Sequence, residues 1–410
     1  MRGAWRPLAA GPFRWFWLGQ SASMVGSAML PLALTLYVLG AGGGAGQVGL
    51  VLAARSAGTI GTLLAGGVLA DRRSKRAVML AADGGRLLFV AGIAATLPTG
   101  SVLVAAAFAL GVGEGLFYPA YNTVVVELLP ERDLQAGNGL NSLSQRVAAV
   151  AGPLLAGVLV AGAGARWCFW VDAVTFAVSV LTLVRLPAGP RPVAEPGRPV
   201  AALVEGFGEV RRRPWVAALI AMDGVQGGLA MAPATVLLPV LLLARGGTAT
   251  TYAVVVACSA VGSVLGSLVS SAVRPRLPGL AAIALLTPVA AYLVAIGAGA
   301  PVPVLAGLAV LAGAGQEVSL VLWYTSLQTD LPRAALGRVN SIDWLGSMAL
   351  YPVGFALVGP VARALGGSRT VLAGAALYAG AAALPLLRRD VREFRTTPAR
   401  GREPVTVEEA

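Results

Sequence analysis

The chain has 410 residues, 57 % apolar and only 12 % charged, with a mean hydropathy of +0.76 and a formal net charge of +12. Soluble domains carry about 25 % charged residues, so a soluble globular fold is excluded. The apolar residues recur in runs of about 20, the length of helix that crosses a hydrocarbon core of about 30 Å. The chain therefore reads as an all-α polytopic membrane protein, because barrel strands would be shorter and alternating.

The positive charge does not point to nucleic acid, since the Arg residues are spread over short loops and both termini and Lys75 is the single Lys. With no His, neither a His metal site nor a His proton switch is available, and no metal site is expected. Cys168 and Cys258 fall in different halves and read as core filler rather than a disulfide.

In chain order, Arg2 and Arg6 precede an apolar run from Phe13. The run exceeds the roughly 7–15 residues of a signal-peptide core and is read as a retained first span. Twelve spans are predicted, at about 14–39, 48–70, 77–97, 102–128, 137–162, 167–186, 215–243, 250–273, 279–298, 303–329, 339–363 and 369–387. After the second comes a dense charge cluster, Gly67-Val68-Leu69-Ala70-Asp71-Arg72-Arg73-Ser74-Lys75-Arg76. Each Asp or Arg in hydrocarbon costs roughly 2.5–3.5 kcal/mol, so this is a turn on one membrane face. Its cations assign it to the cytoplasmic face. With that orientation, cytoplasmic segments hold 24 of the 31 Lys and Arg, and the outer loops hold only Arg166, Arg245, Arg363 and Arg369. Both termini are expected in the cytoplasm, and the membrane is expected to be the plasma or inner membrane.

Residues 187–214 form the one long break. It opens Pro/Gly-rich and then places Val200, Leu203, Val204, Phe207 and Val210 on one helical face, which suits an amphipathic helix in the headgroup layer. The predicted organisation is an N-terminal six-helix half (1–186), this cytoplasmic linker (187–214), a C-terminal six-helix half (215–388) and a disordered cytoplasmic tail (389–410). An internal repeat supports it. Gly26-Ser27-Ala28-Met29-Leu30-Pro31 matches Gly228-Leu229-Ala230-Met231-Ala232-Pro233. Gly61-Thr62-Leu63-Leu64 matches Gly262-Ser263-Val264-Leu265, Leu129-Pro130 matches Leu331-Pro332, and Asn141-Ser142 with Pro153 matches Asn340-Ser341 with Pro352. The offsets run from 199 to 202. Two homologous halves around an axis along the membrane normal imply a central site and alternating access by rocking.

Six plus six spans with a charged turn after the second resemble the major facilitator superfamily. In its loop signature, Gly-x-x-x-Asp-Arg/Lys-x-Gly-Arg/Lys-Arg/Lys, the residues Gly67, Asp71, Arg72, Lys75 and Arg76 match, and Ser74 replaces the second Gly. The resemblance implies a gating loop in which Asp71 latches onto the opposite half and stabilises the outward-facing state. The cations would also hold the loop at anionic lipid headgroups. Gly152-Pro153-Leu154-Leu155-Ala156-Gly157 resembles the Gly-Pro-x-x-Gly-Gly core of the antiporter motif, with Ala156 in place of a Gly. In the superfamily this motif marks exporters that exchange substrate for protons. Asp83-Gly84-Gly85-Arg86, Pro130-Glu131-Arg132-Asp133-Leu134 and Leu336-Gly337-Arg338-Val339-Asn340-Ser341-Ile342-Asp343 resemble the drug/proton antiporter branch that contains macrolide-efflux and enterobactin-export proteins. The Arg that many antiporters carry in span four is missing between Val102 and Asn122.

Ionisable groups within spans are functional candidates. Glu114, midway along span four, is expected to carry a proton or bind a cationic substrate, as is Glu317 beside its repeat counterpart Gln316. Asp223 in span seven is a candidate for substrate binding or gating. Asp83 and Arg86, spaced i,i+3, are expected to pair in a structural or gating role. Arg146 is expected to supply the cation missing from span four or to pair with Asp83 or Glu114. No partner is assigned to Arg55, and Asp343 is read as a carboxylate at the start of span eleven, where a helix N-terminus favours it. Phe117, Tyr118, Tyr121, Trp323 and Tyr324 line an apolar pocket or pack the core.

The sequence thus predicts a secondary exporter of an amphiphilic small molecule such as a drug, antibiotic or siderophore-like metabolite. It is expected to be monomeric, to need no cofactor beyond the proton gradient, and not to be an enzyme. No Gly-x-x-x-x-Gly-Lys-Ser/Thr loop is present. An uptake symporter or facilitator, or a non-transporting sensor or scaffold of the same fold, is the alternative.

Overall fold

The structure, a computed structural model, describes residues 5–187, 199–331 and 333–392. Among these residues the chain is helical, with no strand. The first six spans are single helices: Gly11–Gly40, Ala45–Arg72, Lys75–Thr96, Gly100–Leu128, Glu131–Ala163 and Ala165–Val184. In the second six, Ala249–Ser270, Val302–Asp330 and Gly367–Leu386 are continuous, while spans seven, nine and eleven are each broken. Span seven is Pro214–Gly224, a π-helical turn over Val225–Ala230, and Ala232–Ala244. Span nine is Pro278–Ala284 then Thr287–Ala298, and span eleven is Arg333–Met348 then Tyr351–Leu365.

Each break is followed by a proline. Pro233, Pro288 and Pro352 sit in the first turn of the continuing helix. A proline there lacks the N–H that would have extended the previous turn. In the first half, the repeat partners Pro31 and Pro153 lie inside helices that continue through them.

Several helices run past the predicted spans. The helix of span eleven begins at Arg333 rather than near 339, and that of span five at Glu131 rather than near 137. The apolar run marks only the length in hydrocarbon, and the helix continues into the polar layer. Asp343 is therefore ten residues inside its helix, not at the N-terminus, which removes the helix-dipole reading of that carboxylate.

Small residues set the packing within each half. A Cβ at Gly111 would lie 2.0 Å from the Arg55 carbonyl oxygen, joining spans two and four; its counterpart at Gly313 would lie 2.0 Å from that of Ser259, joining eight and ten. A Cβ at Gly58 would meet the Phe108 carbonyl at 2.3 Å, and one at Gly262 the Val310 carbonyl at 2.0 Å. Gly61 has no such neighbour. Gly262 is thus the structural counterpart of Gly58, one helical turn from the Gly61 match suggested by sequence.

The two halves meet on the face away from the termini. A Cβ at Gly49 would lie 2.4 Å from the Phe355 carbonyl, and one at Gly359 would lie 2.4 Å from Cα of Gly46, so spans two and eleven touch there. Spans five and eight meet likewise at Gly157 and Ala253. One buried apolar cluster crosses both halves at this end, including Leu34, Val51, Val236 and Phe355. Toward the termini each half has its own cluster: Phe16, Phe117 and Tyr121 in the first, and Val216, Ile220, Leu327 and Val339 in the second. The bundle is thus sealed on the far face and parted toward the termini.

The linker contains the helix Pro199–Arg211. Gly206 and Val210 are buried against span eleven, Glu205 pairs with Arg338, and Phe207 is 64 % exposed. The side chains of Val200, Leu203 and Val204 lie outside the described residues. A hydrogen bond from Arg213, reinforced by the Arg213 and Arg212 charges, holds the Glu209 carboxyl below the usual carboxylate range. Arg389–Arg392, expected to be part of a disordered tail, is a helical turn that buries Val391 against Gly279. The remainder of the tail lies outside the described residues. Cys168 and Cys258 are both free.

Candidate functional site

The membrane-embedded charges gather in four places. In the first half, Asp83 is fully buried and accepts from Arg86 at 3.3 Å and from Ser179 Oγ at 2.5 Å. Gln20 donates to Ser179 at 2.8 Å, and Arg86 also donates to Ser27 at 2.9 Å. The guanidinium stands 4.2 Å from the ring centroid of Phe176. This network joins spans one, three and six. Its hydrogen bonds offset the cost of burying both charges.

Beside it, Asp172 of span six is fully buried, with Thr175 Oγ1 at 3.4 Å from Oδ1 and no hydrogen bond to Oδ2. Sequence reasoning missed it, although a lone carboxylate in the apolar run 167–186 was a readable signal. The hydroxyl and amide partners Gln20, Ser27 and Ser179 had no such signal, because polar uncharged residues are common in spans.

Arg55 and Glu114 pair at 3.0 Å, and Thr59 donates to the same carboxylate at 3.3 Å. Glu114 thus has a partner one helix away, from a residue to which the sequence assigned none. At the equivalent places of the second half stand Ser259 and Gln316, both neutral. Glu317 instead reaches across the halves to Arg146 at 2.9 Å. Arg146 therefore pairs with neither Asp83 nor Glu114. Both of those are satisfied within the first half, and Arg146, on span five, faces spans eight and ten. The pair borders a cavity of about 610 Å³ between the halves, lined also by Ser142, Gln145, Ser259 and Ser263.

The fourth place is a cavity of about 300 Å³ within the second half alone, toward the termini. Asp223, Asp343, Trp323, Tyr324, Trp344 and Tyr351 line it. Trp323 Nε1 donates to Asp343 at 3.3 Å, and Trp215 meets Trp323 edge-on at 5.7 Å. The π turn contributes Gln226 and Gly227, and the broken span nine contributes Leu286. Broken helices at mid-depth are tolerated where they line a cavity.

The five candidate aromatics divide. Trp323 and Tyr324 line the second-half cavity. Phe117 and Tyr121 are buried instead: they stack on each other at 5.7 Å, Tyr121 stacks on Phe16 at 5.6 Å, and the three rings belong to the first half's core. Tyr118 is 41 % exposed and faces Trp344 across the halves at 6.4 Å.

The antiporter-like stretch is a packing seam. A Cβ at Gly152 would lie 2.5 Å from that of Ala28 in span one, and one at Gly157 would lie 2.3 Å from that of Ala253 in span eight. Pro153 lies buried between them in an unbroken helix. In the charged turn, Lys75 pairs with Glu127, Arg76 donates to the Val184 carbonyl at 2.6 Å, and Ser74 caps the helix that follows. A Cβ at Gly67 would have no neighbour within 4 Å, and the side chains of Asp71 and Arg72 lie outside the described residues. Among the described residues no group of three or more His, Cys, Asp or Glu is placed to hold a metal ion.

The sequence profile of the Major Facilitator Superfamily matches residues 16–347. The chain belongs to the Major Facilitator Superfamily. Its relatives include the Enterobactin exporter EntS of Citrobacter koseri, 31 % identical over 407 residues, and that of Salmonella typhimurium, 30 % identical over 407 residues. In both cases 94 % of each chain is covered. Among solved structures, the nucleoside transporter NupG superposes with a TM-score of 0.77 at 11 % identity, covering 92 % of this chain and 98 % of that one. A bacterial homolog to the human lysosomal transporter Spinster gives 0.72 at 16 %, covering 95 % and 98 %. At such identities these structures establish the fold alone. The chain is therefore a multi-pass membrane transporter of the major facilitator fold, with twelve spans in two pseudo-symmetric halves.

Proposed function

We propose that this chain is a secondary active exporter that moves an amphiphilic small molecule out of the cell by alternating access, in exchange for protons. The observation that carries the reading is the 30–31 % identity, along 94 % of both chains, to relatives named as exporters of enterobactin. The antiporter-like stretch at Gly152–Gly157 favours exchange over symport. The charge bias between the two faces favours cytoplasmic termini and a place in the plasma or inner membrane. With that orientation, a bundle parted toward the termini is open to the cytoplasm, the state in which an exporter loads.

The exporter works as a monomer, with a small molecule and protons as its ligands, anionic headgroups around its charged turn, the proton gradient as its energy source and no enzymatic step. Multidrug resistance is one outcome of such export. The proton carrier is sought among Glu114, Glu317 and Asp223, carboxylates at mid-depth that face other spans. Expression in a strain stripped of its own efflux pumps lowers accumulation of lipophilic compounds. A broad panel showing no change, with surface expression verified, removes the reading. In vesicles with an imposed pH gradient, Glu114→Gln uncouples transport from the gradient; unchanged coupling takes the proton from Glu114 and leaves export intact.

A further inference from the structure

The outer flank of the first half carries an apolar track that ends in cations. Span six packs on spans one, three and five, so its remaining side faces the bilayer. That side shows Val174, Val178, Leu181 and Val184, all exposed and spaced three or four residues apart, which makes them one stripe. The stripe is about 15 Å long, the depth of one leaflet in a hydrocarbon core of about 30 Å. A Cβ at Gly19 would lie 1.9 Å from Thr182 Oγ1, so spans one and six touch there. Leu18 and Leu181, both exposed, flank the contact.

Arg185 follows Val184 directly, and its guanidinium stands 4.5 Å from the ring centroid of Trp15 at the start of span one. The Arg14 guanidinium stands 5.9 Å from the same centroid. Arg76, at the start of span three, donates to the Val184 carbonyl at 2.6 Å, and its Nε is buried without a partner. Three elements thus bring three cations to one helix end. The carboxylates paired at this end of the first half answer other cations: Asp133 takes Arg6 and Arg132, and Glu127 takes Lys75. Among the described residues, Arg14, Arg76 and Arg185 have no carboxylate partner, and the side chains of Arg14 and Arg185 make no hydrogen bond. A guanidinium stacked on an indole uses its face and leaves the N–H donors in its plane free. Like charges held this close repel until an anion accepts from them. Phosphate suits such a place, because its oxygens take forked donors two at a time. Trp15 belongs at the depth of the headgroups, where indoles gather.

We infer that the ends of spans one and six, with Arg76, form a binding site for one anionic phospholipid, its phosphate among Arg14, Arg76 and Arg185 beside Trp15 and an acyl chain along the stripe of span six. The stripe runs straight into the cations, which fits a molecule that carries tail and charge together; a soluble phosphate has no tail to lay there. The inference goes beyond the exporter reading and does not rest on it. It concerns the outer flank of one half rather than the space between the halves. It also names one discrete lipid, not the general attraction of the charged turn for anionic headgroups. Because Arg76 belongs to that turn, the bound phosphate ties the turn to the end of span six.

The test strips the purified full chain of lipid in a neutral detergent and titrates it with dioleoylphosphatidylglycerol or with dioleoylphosphatidylcholine, a zwitterion with the same chains. Native mass spectrometry counts the lipid retained. One phosphatidylglycerol should bind about tenfold or more tighter than phosphatidylcholine, the scale of one or two charge-assisted contacts. Glycerol phosphate, which has the charge and no tail, should not displace it. Arg14→Gln with Arg185→Gln should remove the preference. Arg274→Gln with Arg276→Gln, which takes the same charge from the second half's turn, should leave it. If the first pair does not elute as folded protein, Arg14→Lys with Arg185→Lys gives the second reading: the charge stays, the planar fork is lost, and the preference falls severalfold. Equal binding of the two lipids to the unmodified chain, equal loss in the two Gln pairs, a preference that survives Arg14→Gln with Arg185→Gln, or displacement by glycerol phosphate overturns the inference. Binding is read apart from flux. Failure here leaves the exporter reading standing, and absence of export in cells leaves the lipid site standing.

Discussion

At the scale of single residues, the buried charges of the first half are structural in their energetics whatever else they do. Asp83 has no exposed surface and Arg86 is 6 % exposed. Removing one partner of such a pair leaves an uncompensated charge and costs about 3–5 kcal/mol, whereas neutralising both is often close to neutral. Arg86→Met should therefore lower the thermal unfolding temperature in detergent sharply, and Asp83→Asn with Arg86→Met should recover most of the loss. A single variant as stable as the parent would show that Asp83 is not held by Arg86. This pair was legible in the sequence because its i,i+3 spacing fixes one face of one helix. The partners of Arg146, Glu317 and Arg55 were not, because they lie on other helices and helix-to-helix register is set by glycine contacts. Asp172 has no charged residue three or four positions away, so no spacing marked a partner for it.

At the scale of elements, glycines decide how closely spans approach, and each broken span carries a proline just after its break. The far-face seam between spans two and eleven depends on backbone contact at Gly46, Gly49, Phe355 and Gly359. A side chain at Gly49 meets a carbonyl that cannot rotate away, and overpacking of this kind costs about 1–3 kcal/mol. One or two kcal/mol moves a two-state ratio by a factor of roughly 5–30. Gly49→Leu should therefore open the far face. With Cys168 and Cys258 replaced by Ser, a reporter Ser259→Cys on the wall of the interhalf cavity should become labelled by an impermeant maleimide added outside. In the parent it should stay protected, and equal protection in the variant would mean that the seam is not what closes that face. Element positions were readable from apolar runs, but the breaks in spans seven, nine and eleven were not. Pro233 and Pro352 break their helices while Pro31 and Pro153, at matching places, do not, so proline alone did not announce them. The repeat register was also readable only to within a turn, since a stretch as rich in Gly as 58–67 matches its partner in more than one frame.

For the whole molecule, the arrangement of apolar clusters describes half of a transport cycle. One core shared across the halves on the far face, and separate cores toward the termini, means that the halves can pivot about the shared core. The reverse state needs its own adhesion on the termini face, where apolar contact between the halves is lacking among the described clusters. The turn between spans two and three carries a dense charge cluster at that face. Lys75 and Arg76 are already engaged within the first half, with Glu127 and the Val184 carbonyl. They anchor the turn rather than bridge it. The second half has Arg274 and Arg276 and no acid at the corresponding turn, so the latch that the loop signature implies for Asp71 is expected to be one-sided. Asp71→Asn should therefore cut export by about tenfold or more, the scale of one lost charge-assisted contact. It should leave topology unchanged, because the cations that set orientation remain. Transport in energised vesicles reads the first effect, and alkaline phosphatase fused after the last span reads the second, staying inactive in variant and parent alike. The same variant should also raise labelling of Ser259→Cys from the cytoplasmic side, because losing the latch shifts the population toward the state seen here. Full transport in the variant would place the adhesion of the closed state elsewhere on the termini face.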